Sequence, residues 1–313
     1  RTGPGVTPLN NLSSGIGAVS SKPPDLSPAS ACHTIASFDS VLASFHTKDN
    51  NLTRIFAVAN QKGGVGKTTT CVNLAASLVA TKKRVLLVDL DPQGNATMGS
   101  GVDKGELDIT IYDVLMGELV ARDALQLSES GHYQLLPANG DLTAAEVEML
   151  SIEGKERLLS RALEPLRGDY DYIVIDCPPS LNMLTINALT ACEGVIIPMQ
   201  CEYYALEGLS ALMNTIGRIQ QQVNPKLKVE GLLRTMYDPR NSLTNDVSTQ
   251  LSTHFGDQLY RTCVPRNVRL AEAPSYGQPV LSYDRQSKGA IAYLALAGEI
   301  IRRNESQQRA ANL

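Results

Sequence analysis

Short apolar runs recur along the chain at 55–59, 84–88, 133–136, 172–175, 194–198 and 229–233, each of strand length. Helical spacing lies between them. One such stretch runs from Lys67 to about Ala80, and another covers 205–223, where Leu206, Leu209, Leu212, Met213 and Ile216 recur at intervals of three and four. Runs that are apolar throughout, rather than alternating, suit strands buried on both faces. Their alternation with helices predicts an α/β fold, a mostly parallel twisted sheet with helices on both faces. A last amphipathic helix is expected over 289–303, with a polar tail over 304–313. Residues 1–50 break the pattern: nine Ser, five Pro and no sustained period predict a disordered arm, ending near residue 53, before a domain over 54–303.

Composition narrows the class. With 43% hydrophobic and 19% charged residues the 313-residue chain reads as globular, and no apolar run approaches the roughly 18–20 residues of a membrane span. The six cysteines (32, 71, 177, 192, 201, 263) form no C-x-x-C pair and the four histidines do not cluster with them, so a zinc or iron–sulfur site is not expected. The net charge of −4 hides an asymmetry. Residues 1–212 carry 15 Lys/Arg against 24 Asp/Glu, a balance of −9, and residues 213–313 carry 13 against 8, a balance of +5. A basic C-terminal third suits an anionic partner.

The sharpest chemical signal is Gln61-Lys-Gly-Gly-Val-Gly-Lys-Thr-Thr69, between a strand and a helix. Glycines let successive backbone N–H groups converge on a phosphate, and the helix N-terminus adds its positive end. The nucleotide-binding set expected here is Lys62, Gly63, Gly64, Val65, Gly66, Lys67, Thr68 and Thr69, with Lys67 on the β- and γ-phosphates and the Thr68 hydroxyl on Mg²⁺. The standard pattern has Gly where Gln61 stands, and a second lysine, Lys62, stands beside it. Two ammonium groups on one small loop need an anion between them, or one must serve another molecule's anion. A lysine reaching across a dimer interface would stabilise transition-state charge as an arginine finger does. Asp89, Asp91 and Asp176 each sit at or just past the end of an apolar run, where open α/β sheets bind ligands. Such carboxylates suit a hard cation and an attacking water.

Lys62-Gly-Gly-Val-Gly-Lys-Thr-Thr69 resembles the deviant Walker A signature of the ParA/MinD class of P-loop ATPases. Residues 85–95 look like that class's switch I segment and 172–179 like its Walker B strand and switch II. Residues 202–209, 264–270 and 272–275 resemble the ParA/Soj chromosome- and plasmid-partition ATPases in particular, over about 54–303. The resemblance implies a P-loop NTPase fold and an ATPase that uses ATP and Mg²⁺. By it Asp91 orients the hydrolytic water, and Asp176, with Thr68 and Asp91, serves the metal. Asp89, Pro92, Cys177 and Pro178 would belong to the switches, and Lys62 and Lys67 join Asp91 in catalysis. Pro265, Arg266 and Asn267 would line the adenine.

The same resemblance implies a homodimer closed on ATP, non-specific DNA binding and a ParB-type centromere-binding partner that stimulates slow hydrolysis. It places the protein in the cytoplasm, associated with the nucleoid. The DNA contacts it suggests are Arg218, Arg240, Arg269, Arg285 and Lys288. The alternative within the class is a MinD-like membrane-associated or cargo-positioning ATPase. No membrane partner is expected, because residues 304–313 offer a single bulky apolar residue for an amphipathic anchor.

Overall fold

The computed structural model describes residues 53–203 and 205–311. The expected arm over 1–53 lies outside the described residues except for Thr53, which is buried and donates its hydroxyl to the Tyr170 carbonyl at 2.7 Å. Eight strands form one sheet: β1 (Arg54–Val58), β2 (Val85–Asp89), β3 (Gln126–Ser128), β4 (Tyr133–Leu136), β5 (Tyr172–Asp176), β6 (Gly194–Gln200), β7 (Lys228–Tyr237) and β8 (Leu259–Pro265). Their spatial order is β3-β4-β2-β5-β1-β6-β7-β8, and every pairing is parallel except β3 with β4.

The continuous apolar runs have the reason the pattern suggests. Along β1, Ile55 and Ala57 enter one core while Phe56 and Val58 enter the other, and Ile173/Ile175 and Tyr172/Val174 divide the same way on β5. The first core packs under helices that include Met183–Ala191 and Ala205–Gln222. The second packs under the helix Lys67–Ala80 and the C-terminal helix Lys288–Ala311.

Three features differ from the sequence reading. The C-terminal helix continues to Ala311, eight residues past the expected end, because Glu, Gln, Arg and Ala are good helix formers even without an apolar stripe. Strand β8 was not expected, since an edge strand with Arg261 and Thr262 partly exposed lacks a continuous apolar run. The short antiparallel β3, whose middle residue Leu127 is exposed, was missed for the same reason.

Register is what builds the site. Asp176 at the end of β5 lies opposite Asp89 at the end of β2 and Val58 at the end of β1. The glycine-rich loop therefore leaves β1 beside two carboxylates that are far apart in sequence.

Candidate nucleotide site

The loop 61–66 joins β1 to the helix that begins at Lys67. Gly64 and Gly66 hold φ of 73° and 90°, a region that L side chains rarely adopt, so these two positions need glycine. Gly66 is also the helix N-cap and supplies no side-chain cap, leaving the first N–H groups of the helix for a ligand. The loop is held from behind. Asn60 donates its amide to the Pro198 carbonyl at 2.8 Å and accepts from the Lys62 N–H at 3.0 Å. Thr235 donates to the Val65 carbonyl at 2.8 Å, and Gln200 to the Gly64 carbonyl at 3.3 Å.

The two lysines differ. Lys67 is 7% exposed, and its ammonium donates to the Lys62 carbonyl at 3.3 Å. Burial pushes its pKa below the usual value against the pull of the Asp176 and Asp91 carboxylates. A buried ammonium resting on a single carbonyl is a group matched to an incoming anion. Lys62 is exposed and pairs with Glu202 at 2.5 Å, both side chains about half accessible (44% and 50%). Thr68 and Thr69 are half-buried at the start of the helix.

The three aspartates separate into distinct chemical roles. Asp89 is fully buried and saturated: one oxygen accepts from the Asp91 N–H at 3.2 Å, the other from the Thr97 N–H and hydroxyl, each at 2.8 Å. It fixes the 91–97 segment and has no oxygen to spare. Asp176 is also fully buried, yet it accepts only the weak Cys71 thiol donor at 3.4 Å, and its Oδ2 has no hydrogen-bond partner. Burial raises both carboxyls above their ordinary value; the Asp89 and Asp91 charges add to the rise at Asp176, where the nearby Thr68 hydroxyl opposes it, and the Asp91 charge adds to the rise at Asp89. Asp91 is 8% exposed and engages one oxygen with the Gln93 N–H at 3.0 Å. Among the described residues no three His, Cys, Asp or Glu side chains group as a closed metal cage. A cation completed by phosphate and water needs only one or two carboxylates.

The other expected switch residues lie close by in the chain. Pro92 is half-buried after Asp91, and Cys177 and Pro178 are buried after Asp176, with burial pushing the Cys177 thiol well up. Glu146 belongs to this region although the sequence did not single it out. It takes a hydrogen bond from Asn182, and burial and the Asp91 charge raise its carboxyl.

The segment expected to line the base sits at the same end of the sheet. Pro265 closes β8 opposite Tyr237, two residues beyond Thr235. Arg266 is exposed. Asn267 caps the helix Val268–Glu272, its side-chain oxygen accepting from the Leu270 N–H at 3.3 Å, which leaves its amide NH₂ as a donor for a base. The five basic positions do not form one cluster. Arg269, Arg285 and Lys288 lie near one another, Arg269 bridging to Glu272 at 2.7 Å and to Asp284 at 3.3 Å. Arg218 is on a helix whose Leu212 and Ile216 pack in the core of the opposite sheet face. Arg240 is exposed but clamped by Asp238, its Nη2 at 2.8 Å from the carboxylate.

The residues that support the loop, Asn60, Gln200 and Thr235, and the Thr97 partner of Asp89 carry no local motif. Only their position at strand ends or a short turn from Asp89 distinguishes them.

The AAA domain family matches residues 53–229. The chain is 49% identical over 263 residues to the chromosome partitioning protein ParA of Caulobacter vibrioides, covering 83% of this chain and 98% of that protein. It is 51% identical over 247 residues to the sporulation initiation inhibitor protein Soj of Bacillus subtilis, covering 79% and 98%. Among solved structures, a Mycobacterium smegmatis protein described as cobyrinic acid a,c-diamide synthase with bound ADP and magnesium is similar, with a TM-score of 0.73 and 42% identity over 82% of this chain and 96% of that one.

Proposed function

Because the chain belongs to the ParA/Soj family of chromosome-partitioning ATPases, we propose that it is an ATP-hydrolysing partition protein that closes as a dimer on ATP·Mg²⁺, binds DNA without sequence preference and lets go on hydrolysis. One observation carries the nucleotide part of this reading: the fully buried Asp176 with an unpartnered Oδ2, beside a buried Lys67 and a helix N-terminus with no side-chain cap. Such an arrangement is costly on its own and fits a Mg²⁺-polyphosphate, whose cation takes carboxylate and hydroxyl oxygens and whose anion takes ammonium and amide donors. The bound ADP and magnesium of the M. smegmatis structure support the same assignment.

In this reading Lys67 and the N–H groups of 63–69 hold the phosphates, and Thr68 and Asp176 hold the cation, which neutralises charge as it develops. Asp91, with one oxygen committed to Gln93, keeps the other for orienting the attacking water. Asp89 holds the segment that carries Asp91. Lys62 leaves Glu202 to reach the phosphates of the second protomer. Residues 265–267 line the adenine, the 54–303 segment acts as the ATPase domain, and residues around Arg269, Arg285 and Lys288 meet DNA phosphates. A ParB-type partner accelerates hydrolysis, and the protein associates with the nucleoid.

Binding to random-sequence DNA without nucleotide, with ADP and with ATP·Mg²⁺, for wild type and Asp91→Ala across a salt series, tests the whole. Binding only with ATP, strengthened in the variant and weakened by salt, is the expected result. ATP turnover with no DNA binding in any state would remove the partition role and leave the MinD-like membrane or cargo-positioning alternative.

A further inference from the structure

A phosphate cradle works only if its amide N–H groups point inward, and each inward N–H requires its loop carbonyls to point elsewhere. In this loop two consecutive carbonyls are taken from outside. The Gly64 oxygen accepts from Gln200, at the end of β6, and the Val65 oxygen accepts from the hydroxyl of Thr235, near the end of β7. Thr235 is buried, 3% exposed, and its methyl lies 3.8 Å from where a Cβ on Gly66 would stand. The residue after it, Met236, holds φ of 49°, which a non-glycine side chain rarely adopts, and its sulfur is in contact with the same Gln200 amide. Backbone in sparsely populated conformations persists only where the surroundings fix it, and such positions gather at functional sites. One residue further on, Tyr237 pairs with Pro265, the start of the segment proposed to face the base.

We propose that Thr235, with Gln200, is a positioning residue that turns the Val65 and Gly64 carbonyls out of the cradle, and that the Thr235–Met236–Tyr237 strap sets the phosphate loop and the 265–267 segment at a fixed spacing. The inference rests on the nucleotide-site reading above and extends it to residues outside the loop. The strand ends act on the loop from behind, so the loop is shaped before nucleotide arrives.

Two substitutions separate the hydroxyl from the methyl. Thr235→Val keeps the shape and removes the donor, and Thr235→Ser keeps the donor and removes the methyl. Affinity for ATP and for ADP is measured by titration calorimetry on the full chain, and amide hydrogen exchange is followed at residues 62–66 in the nucleotide-free protein. The expected result is a loss of about tenfold in affinity for both nucleotides in Thr235→Val, the scale of one hydrogen bond, with near wild-type binding in Thr235→Ser. Exchange at 62–66 should quicken severalfold in Thr235→Val alone. Wild-type affinity and exchange in Thr235→Val would overturn the proposal, and so would equal losses in both variants or a loss confined to Thr235→Ser, because the methyl would then be what matters. A wild-type chain that binds neither nucleotide would instead bring down the nucleotide-site reading itself.

Discussion

Replacing Asp176 by Asn should make the nucleotide-free protein more stable, not less. The carboxylate is fully buried, one oxygen takes a thiol at 3.4 Å and the other has no hydrogen-bond partner, with the Thr68 hydroxyl nearby. A buried acceptor left unsatisfied costs about 1–3 kcal/mol, and more when it is charged. Asn removes the charge but keeps an amide that is itself short of partners, and it forgoes the attraction to Lys67, so the net gain should be about 1 kcal/mol. For a domain of this size that is a rise in Tm of about 2–4 °C. The sign can be checked against pH. Burial, with the Asp89 charge behind it, holds the Asp176 carboxyl above its ordinary value in the folded state. The folded state therefore binds that proton more tightly than the unfolded chain, and its ionisation costs stability increasingly as pH rises from about 4. The advantage of Asn should be present near neutral pH and fade toward pH 4. Urea and thermal unfolding in EDTA, at several pH values, measure it. The same variant should lose the part of ATP stabilisation that depends on Mg²⁺. A nucleotide-free Asp176→Asn less stable than wild type by 1 kcal/mol or more near neutral pH would refute the reasoning, because the carboxylate would then have partners that make it a structural group.

Asp89→Ala should do the opposite, since three buried donors lose their acceptor: a loss of about 3 kcal/mol in urea unfolding is expected, and one below about 1 kcal/mol would contradict the saturated role. Lys62→Ala should leave ATP affinity within a few fold but abolish the ATP-dependent dimer seen by light scattering. Glu202→Gln should ease assembly only slightly, because a half-exposed pair contributes at most about 1 kcal/mol, so the ATP needed for half-assembly should fall no more than about fivefold. Arg285→Glu with Lys288→Glu should weaken DNA binding and flatten its salt dependence, whereas Arg269→Ala, already balanced by Glu272 and Asp284, should do less; equal effects would mean those carboxylates release Arg269 on contact with DNA.

The interior strands were legible because burial on both faces leaves no room for polar residues. Strands β1, β2, β4, β5 and β6 fall within two residues of their apolar runs, and the helix Lys67–Ala80 stands where its spacing put it. The edges were not legible. Strand β8 exposes Arg261, and its Arg261 and Thr262 N–H groups are satisfied by the buried Glu299 carboxylate at 2.9 and 3.0 Å, a contact made across 38 and 37 residues that no local window contains. The C-terminal helix outruns its amphipathic signal because good helix formers extend it and contacts outside any apolar stripe anchor it: the buried Asn304 donates to the Tyr172 hydroxyl and Lys228 to Gln307.

The site divides along the same line. Groups that must touch a ligand sit in compact motifs, because a loop of positive-φ glycines, a lysine and a threonine has to be contiguous to surround one phosphate. Groups that give those motifs their shape come from whichever strand ends the register brings alongside, so Thr235 and Gln200 arrive from β7 and β6 and Thr97 from the turn after β2. The sequence marks three aspartates as equals, and only hydrogen-bond accounting separates them: Asp89 is saturated, Asp91 half engaged and Asp176 left with an oxygen that nothing in the chain satisfies. That deficit is informative because the neighbouring Asp89 shows that this fold can satisfy a fully buried carboxylate when it has only a structural task. Leaving Asp176 incomplete, directly opposite Asp89 on the adjacent strand, is therefore the feature that most favours the nucleotide-site reading.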